Sequence, residues 1–106
     1  MLKLKEYLKN TANKLKQLSY KILITGRVQQ IGFRFYTQQK ALELEVTGSV
    51  QNLPNGDVIV IAFGPEKSML EFINWLHRGP SRAMVTNVEL QEIPFELISG
   101  FRIEGF

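Results

Sequence analysis

Apolar and polar residues alternate along this chain with two different periods, and each change of period marks an element. In residues 20–26, Tyr20, Ile22 and Ile24 point one way while Lys21, Leu23 and Thr25 point the other, which predicts a strand. Helical spacing follows over residues 33–44, with Phe33, Tyr36, Lys40/Ala41 and Leu44 near one face. Residues 46–53 and 57–63 read as strands joined by Leu53-Pro54-Asn55-Gly56-Asp57, whose Asn-Gly pair suits the positive φ values of a tight hairpin turn. The second of these strands is apolar on both faces, as a central, covered strand would be. Gly64-Pro65 opens a helix over residues 66–77, with Met69, Leu70, Phe72, Ile73 and Leu76 as its stripe, and Gly79-Pro80 stops it. Residues 83–93 alternate as a fourth strand, Met84, Thr86, Val88 and Leu90 against Val85, Asn87 and Glu89, ended by Pro94. Residues 100–104 predict a short last strand at an edge. Ahead of all this, Leu4, Leu8, Ala12, Leu15 and Leu18 recur at steps of three or four among lysines, an amphipathic helix pattern over residues 2–18.

The order is therefore a helix, then βαββαβ, then a short strand. With both inner helices on one side of the sheet, this predicts an α+β, ferredoxin-like two-layer sandwich with an extra N-terminal helix. Residues 1–19 are expected to be the helix and residues 20–106 one compact domain, since 106 residues suffice for a single core. That fold alone hosts many functions.

Charge divides along the same boundary. Residues 1–19 carry five lysines against one glutamate, while residues 20–106 carry eight basic against nine acidic side chains. The body is close to neutral, which argues against nucleic acid as a partner. The third strand also lacks the aromatic and basic pattern of RNA-binding sheets. The basic helix has no Trp or Phe of the kind interfacial helices use. It is expected to dock its leucines on its own domain or on a second copy rather than on a membrane. The chain has no cysteine, which leaves no disulfide framework or thiolate chemistry and fits a cytoplasmic location. No Glu, Asp and His cluster has metal-ligand spacing, and no cofactor is expected.

Between the first strand and the first inner helix lies Gly26-Arg27-Val28-Gln29-Gln30-Ile31-Gly32-Phe33-Arg34. The N–H groups of a helix's first turn have no internal acceptor, and the helix dipole places positive charge there. Such a turn can cradle a phosphate or carboxylate, and Arg34 stands where its guanidinium could fold over the same anion. The residues alone equally allow an ordinary strand–helix connection with a surface arginine. Asn52, at the end of the second strand, could aim a water with its amide or could simply be a turn residue. Asn55 fits the turn role, and His77, near its helix end, suits the C-terminal dipole better than proton transfer.

Four blocks in order narrow the choice. The Gly26–Arg34 turn is similar to the signature loop of the acylphosphatase family. Gly48-Ser49-Val50-Gln51-Asn52 through Gly56-Asp57-Val58, Gly79-Pro80-Ser81-Arg82-Ala83-Met84-Val85, and Phe101-Arg102-Ile103 resemble its later segments. The match spans residues 20–104. The resemblance implies a hydrolase that splits small acyl phosphates into carboxylate and phosphate. It puts Arg34 and Asn52 at the catalytic positions and Val28, Gln29, Gln30, Ile31, Gly32 and Phe33 in the phosphate-binding loop. In the family a glycine stands where this chain has Gln30. Glutamine in a left-handed conformation there would cost about 1–2 kcal/mol. Altered phosphate binding is expected, and the alternative reading is a non-catalytic anion-binding or regulatory module of the same fold.

Overall fold

The computed structural model describes residues 3–5 and 16–105. Its elements are β1 (Gln17–Arg27), α1 (Phe33–Glu43), β2 (Thr47–Asn52), β3 (Val58–Pro65), α2 (Glu66–Arg78), β4 (Met84–Glu92) and β5 (Phe101–Glu104). The strands form one sheet in the order β4-β1-β3-β2-β5. All pairs are antiparallel except β2 with β5. This is the ferredoxin-like arrangement, with β3 in the middle and β5 at one edge as its sequence suggests.

Most of the expected N-terminal helix, and with it any docking of its leucines, lies outside the described residues. Where that segment is described, the boundary needs correcting. Gln17, Leu18 and Ser19 belong to β1 and pair with Pro65, Gly64 and Phe63. Leu18 satisfies both a helical stripe from Leu15 and the alternation Leu18-Tyr20-Ile22. Pairing with β3 decides between them, because it satisfies the backbone of both strands. Lys16 continues the contact, its carbonyl accepting from Glu66 N–H at 3.1 Å and its ammonium meeting Glu66 at 3.0 Å.

One face of the sheet packs on the two helices. Ile22 and Ile24 of β1, Val50 of β2, and Val58, Val60 and Ala62 of β3 are fully buried there. Against them lie Phe33 and Ala41 of α1, Met69, Phe72, Ile73 and Leu76 of α2, and Phe101 of β5. Phe72 meets Phe101 edge-on at 5.9 Å, and Phe33 meets Trp75 at 6.2 Å. The buried stripe of α1 is Phe33-Thr37-Ala41, not the expected one through Tyr36. Tyr36 is turned out and packs edge-on against Phe35, 5.3 Å away.

The alternation expected for β4 also slips. Thr25 pairs with Asn87 but Gly26 pairs with Val85, so Thr86 is an extra residue in a bulge. Val85 and Val88 therefore both reach the core, and Met84 and Leu90 are exposed. Gly26 sits at that irregularity with φ 133°, and a Cβ there would collide with the Met84 carbonyl. No other residue type fits this close approach of β1 and β4. Among the described residues no helix is long and apolar enough to cross a membrane.

Candidate active site

Strand direction gathers the site. β1 and β2 both run antiparallel to β3, so they are parallel to each other, and β5 is parallel to β2. The C-terminal ends of β1, β2 and β5 therefore lie along one edge of the sheet. The loop after β1, Asn52 closing β2, and Gly105 after β5 meet at that edge. A cleft of about 220 Å³ is lined by Val28, Gln30, Gly32, Phe33, Arg34, Phe35, Asn52 and Ile103. It adjoins a wider one of about 510 Å³, which shares Gln30, Arg34 and Asn52 and adds Gln29, Gln51 and Gly105. Residues more than seventy positions apart in sequence thus share one hollow.

The loop from Val28 to Gly32 is an open arc. Among the described residues, the N–H groups of Gln29, Gln30, Ile31 and Gly32 donate to no protein acceptor. The first bond of α1 runs from Tyr36 N–H to the Gly32 carbonyl at 3.0 Å. The N–H groups of Phe33, Arg34 and Phe35 thus precede the helical ladder and have no acceptor within it. Gly32, the residue preceding the helix, has φ 80° and no side chain to cap these groups. The result is a run of backbone donors at the positive end of an eleven-residue helix. The apolar side chains of the loop hold it from below, because Val28 and Phe33 are buried in the core. Only their backbone can face an anion.

Gln30 adopts φ 63°, the left-handed conformation. The loop therefore forms with the glutamine in place, at the local cost set by its Cβ. Its side chain is exposed and makes no hydrogen bond among the described residues, so it does not satisfy the loop's donors. Gln29 behaves differently. Its Nε2 donates to the carbonyls of Leu53 and Asp57, each at 2.8 Å. A side chain grouped with the phosphate-binding loop is thus spent on stapling that loop to the β2–β3 hairpin, and only its backbone N–H remains for a ligand. Nothing in the sequence of a single chain distinguishes these two neighbouring glutamines.

Arg34 extends from the first turn of α1. Its Nη1 donates to the Glu104 carbonyl at 3.0 Å. That bond fixes the guanidinium and leaves most of its five donors for other partners. No carboxylate among the described residues pairs with it. Asn52 lines the same cleft, and its Oδ1 is buried with no hydrogen-bond partner. Leaving such an atom unsatisfied costs about 1–3 kcal/mol, a deficit that one water would offset.

The hairpin after Asn52 is wider than a two-residue turn. Leu53 N–H donates to Asp57 O at 2.8 Å and Gly56 N–H to Leu53 O at 3.1 Å. Gly56 takes φ 99°, but Asn55 stays out of the left-handed region. Asn55 instead exchanges hydrogen bonds with Asp57, a turn role. His77 stands at the end of α2 with Nδ1 2.9 Å from the Ile73 carbonyl, and it lines neither cleft.

Residues 20–103 match the family model for acylphosphatase. The chain belongs to the acylphosphatase family. An acylphosphatase of Vibrio vulnificus is 41% identical over 83 residues, 78% of this chain and 92% of that one. The structure of an acylphosphatase from Coxiella burnetii superposes with a TM-score of 0.80 at 39% identity, covering 83% of this chain and 93% of the other. The acylphosphatase from Bacillus subtilis gives 0.80 at 32% identity, covering 83% and 99%. Family membership makes the chain a hydrolase of ferredoxin-like fold, with acyl phosphates as its class of substrate. The glycines, the hairpin and the arginine of its open loop are then parts of an acylphosphatase.

Proposed function

We propose that this chain hydrolyses the carboxyl–phosphate bond of small acyl phosphates with the loop N–H groups and Arg34 holding the phosphoryl group and Asn52 orienting the water. The observation that carries this reading is the juxtaposition in one cleft of an arc of unpaired backbone N–H groups, the Arg34 guanidinium and the unpartnered Asn52 Oδ1. Negative charge on the phosphoryl oxygens meets donors that are already in place, so little reorganisation accompanies the reaction. The water oxygen attacks phosphorus, and the bond from phosphorus to the carboxyl oxygen breaks. The carboxylate departs with the electron pair, and the water's proton passes to a phosphoryl oxygen. A carboxylate is a stable leaving group, so positioning and charge neutralisation supply most of what the reaction needs. Asn52 Oδ1 accepts one hydrogen of the water and points its lone pair at phosphorus. Arg34 stays charged throughout and serves no proton transfer.

Steady-state hydrolysis of benzoyl phosphate, with inorganic phosphate as competing ligand, tests the division of roles. Arg34→Ala is expected to lower kcat by about a hundredfold or more and to abolish inhibition by phosphate. Asn52→Ala is expected to lose kcat comparably while phosphate still inhibits. Turnover retained in Arg34→Ala, with the thermal midpoint unchanged, would remove the proposal.

A further inference from the structure

A second cleft, of about 400 Å³, lies on the other side of the phosphate loop. Gln30, Gly32 and Phe35 line both it and the 220 Å³ cleft that holds Arg34 and Asn52. Its far wall is Tyr36 together with Ser81 and Arg82 from the connection between α2 and β4. That connection is built to present them. Gly79 caps α2 through a 2.7 Å bond to the Trp75 carbonyl, and Ala83 N–H then closes a turn on the Pro80 carbonyl at 2.9 Å. Ser81 and Arg82 occupy the two corner positions of that turn. Among the described residues Arg82 has no carboxylate partner, and neither the Ser81 nor the Tyr36 hydroxyl makes a hydrogen bond. Tyr36 is about half exposed, at 49%, and so is Phe35, at 53%. Two aromatic rings packed edge-to-face thus form an apolar ramp from the phosphate cleft to an uncompensated cation.

From this arrangement we infer that the second cleft receives the acyl part of the substrate and selects acyl groups with an apolar or aromatic stem ending in an anion, which Arg82 binds. The inference rests on the phosphoryl group occupying the first cleft as proposed above. Of the two clefts that adjoin the phosphoryl site, the one past Phe35 and Gln30 adds a cationic side chain, Arg82, whereas the one toward Gln51 and Gly105 adds none. The ring faces of Phe35 and Tyr36 cover the stem. The guanidinium and the two hydroxyls take the terminal carboxylate or phosphate, with Arg82 able to pair bidentately.

The test compares benzoyl phosphate with 3- and 4-carboxybenzoyl phosphate in turnover, and the corresponding acylphosphonates, which cannot be hydrolysed, in calorimetric binding. The wild-type chain is expected to favour at least one carboxylated member of each set by about fivefold, the size of a well-oriented exposed ion pair. Arg82→Gln is expected to erase that preference while leaving benzoyl phosphate turnover within about twofold of wild type. Raising salt from about 50 mM to about 500 mM should shrink the preference. Equal binding of plain and carboxylated phosphonates by the wild type, or a preference that survives Arg82→Gln, overturns the inference. Turnover without preference removes only this subsite. Preference in phosphonate binding without turnover of any acyl phosphate keeps the subsite and removes the hydrolytic reading.

Discussion

At the scale of single residues, Gln30 stands where the resemblance implies a glycine. The structure turns the mismatch into a conformational quantity, because φ at Gln30 is 63°. A glycine would relieve about 1–2 kcal/mol of left-handed strain but would lose about 0.5–1 kcal/mol through its freer unfolded chain. Gln30→Gly is therefore expected to stabilise the domain by between about 0 and about 1.5 kcal/mol, a rise in thermal midpoint of up to about 10 °C for a chain of this size. Its side chain makes no hydrogen bond to the loop, so benzoyl phosphate turnover should stay within about threefold of the parent. A large gain on Gln30→Gly would favour the alternative of a module whose activity the glutamine suppresses. A large loss would assign the amide a direct part in binding. Calorimetry and the same kinetic assay report on both.

At the scale of elements, the site depends on how a loop, a hairpin and a helix are held in register. Gln29 links the first two by donating to both Leu53 and Asp57 carbonyls. Arg34 links the helix to the end of β5 through Glu104. Gln29→Met keeps the side chain's length and removes both donated hydrogen bonds, while the Leu53 and Asp57 carbonyls keep their bonds from Gly56 and Leu53 N–H. About 0.5–1.5 kcal/mol of stability per lost bond should go with it. Because Asn52 immediately precedes Leu53, the water and the phosphoryl group should also lose alignment, so kcat should fall more than phosphate affinity. A misalignment of about 1 Å can cost on the order of a hundredfold in rate. An unchanged kcat in a destabilised Gln29→Met would make the staple purely structural. What was legible in the sequence follows the same lines. Long periodic segments and punctuating glycines and prolines placed β1, α1, β2, β3 and α2 to within a few residues. The blocks around Gly26–Arg34 and Asn52 pointed to one cleft. The slips came where periodicity is ambiguous or a register shift intervenes. Leu18 fits a helix and a strand equally, the bulge at Thr86 swaps the faces of Met84 and Val85 relative to Val88, and Thr37 replaces Tyr36 in the core stripe. The partners of the Gln29 side chain are two backbone carbonyls, and carbonyls carry no sequence signal.

At the scale of the whole molecule, every group assigned to the cleft comes from the carboxyl ends of β1, β2 and β5 or from the first turn of α1. The sheet that aligns those ends begins at Gln17. The first backbone contact of that region is made by Lys16, whose carbonyl receives Glu66 N–H at the start of α2. Residues 1–16 carry five of the chain's thirteen basic side chains against one glutamate, whereas the rest of the chain is close to neutral. A chain shortened to begin at Lys16 should therefore keep the fold and should hydrolyse benzoyl phosphate with kcat/KM within about twofold of the full chain at moderate salt, where fields beyond about 8–10 Å are screened. At low salt the full chain should be the faster one, since its extra lysines raise the encounter rate with a dianionic substrate. The comparison needs only two proteins and two ionic strengths. A shortened chain that stays folded but loses most of its turnover at both salts would mean that the leading segment completes the cleft. The boundary between a self-sufficient domain and its basic extension would then have to be redrawn.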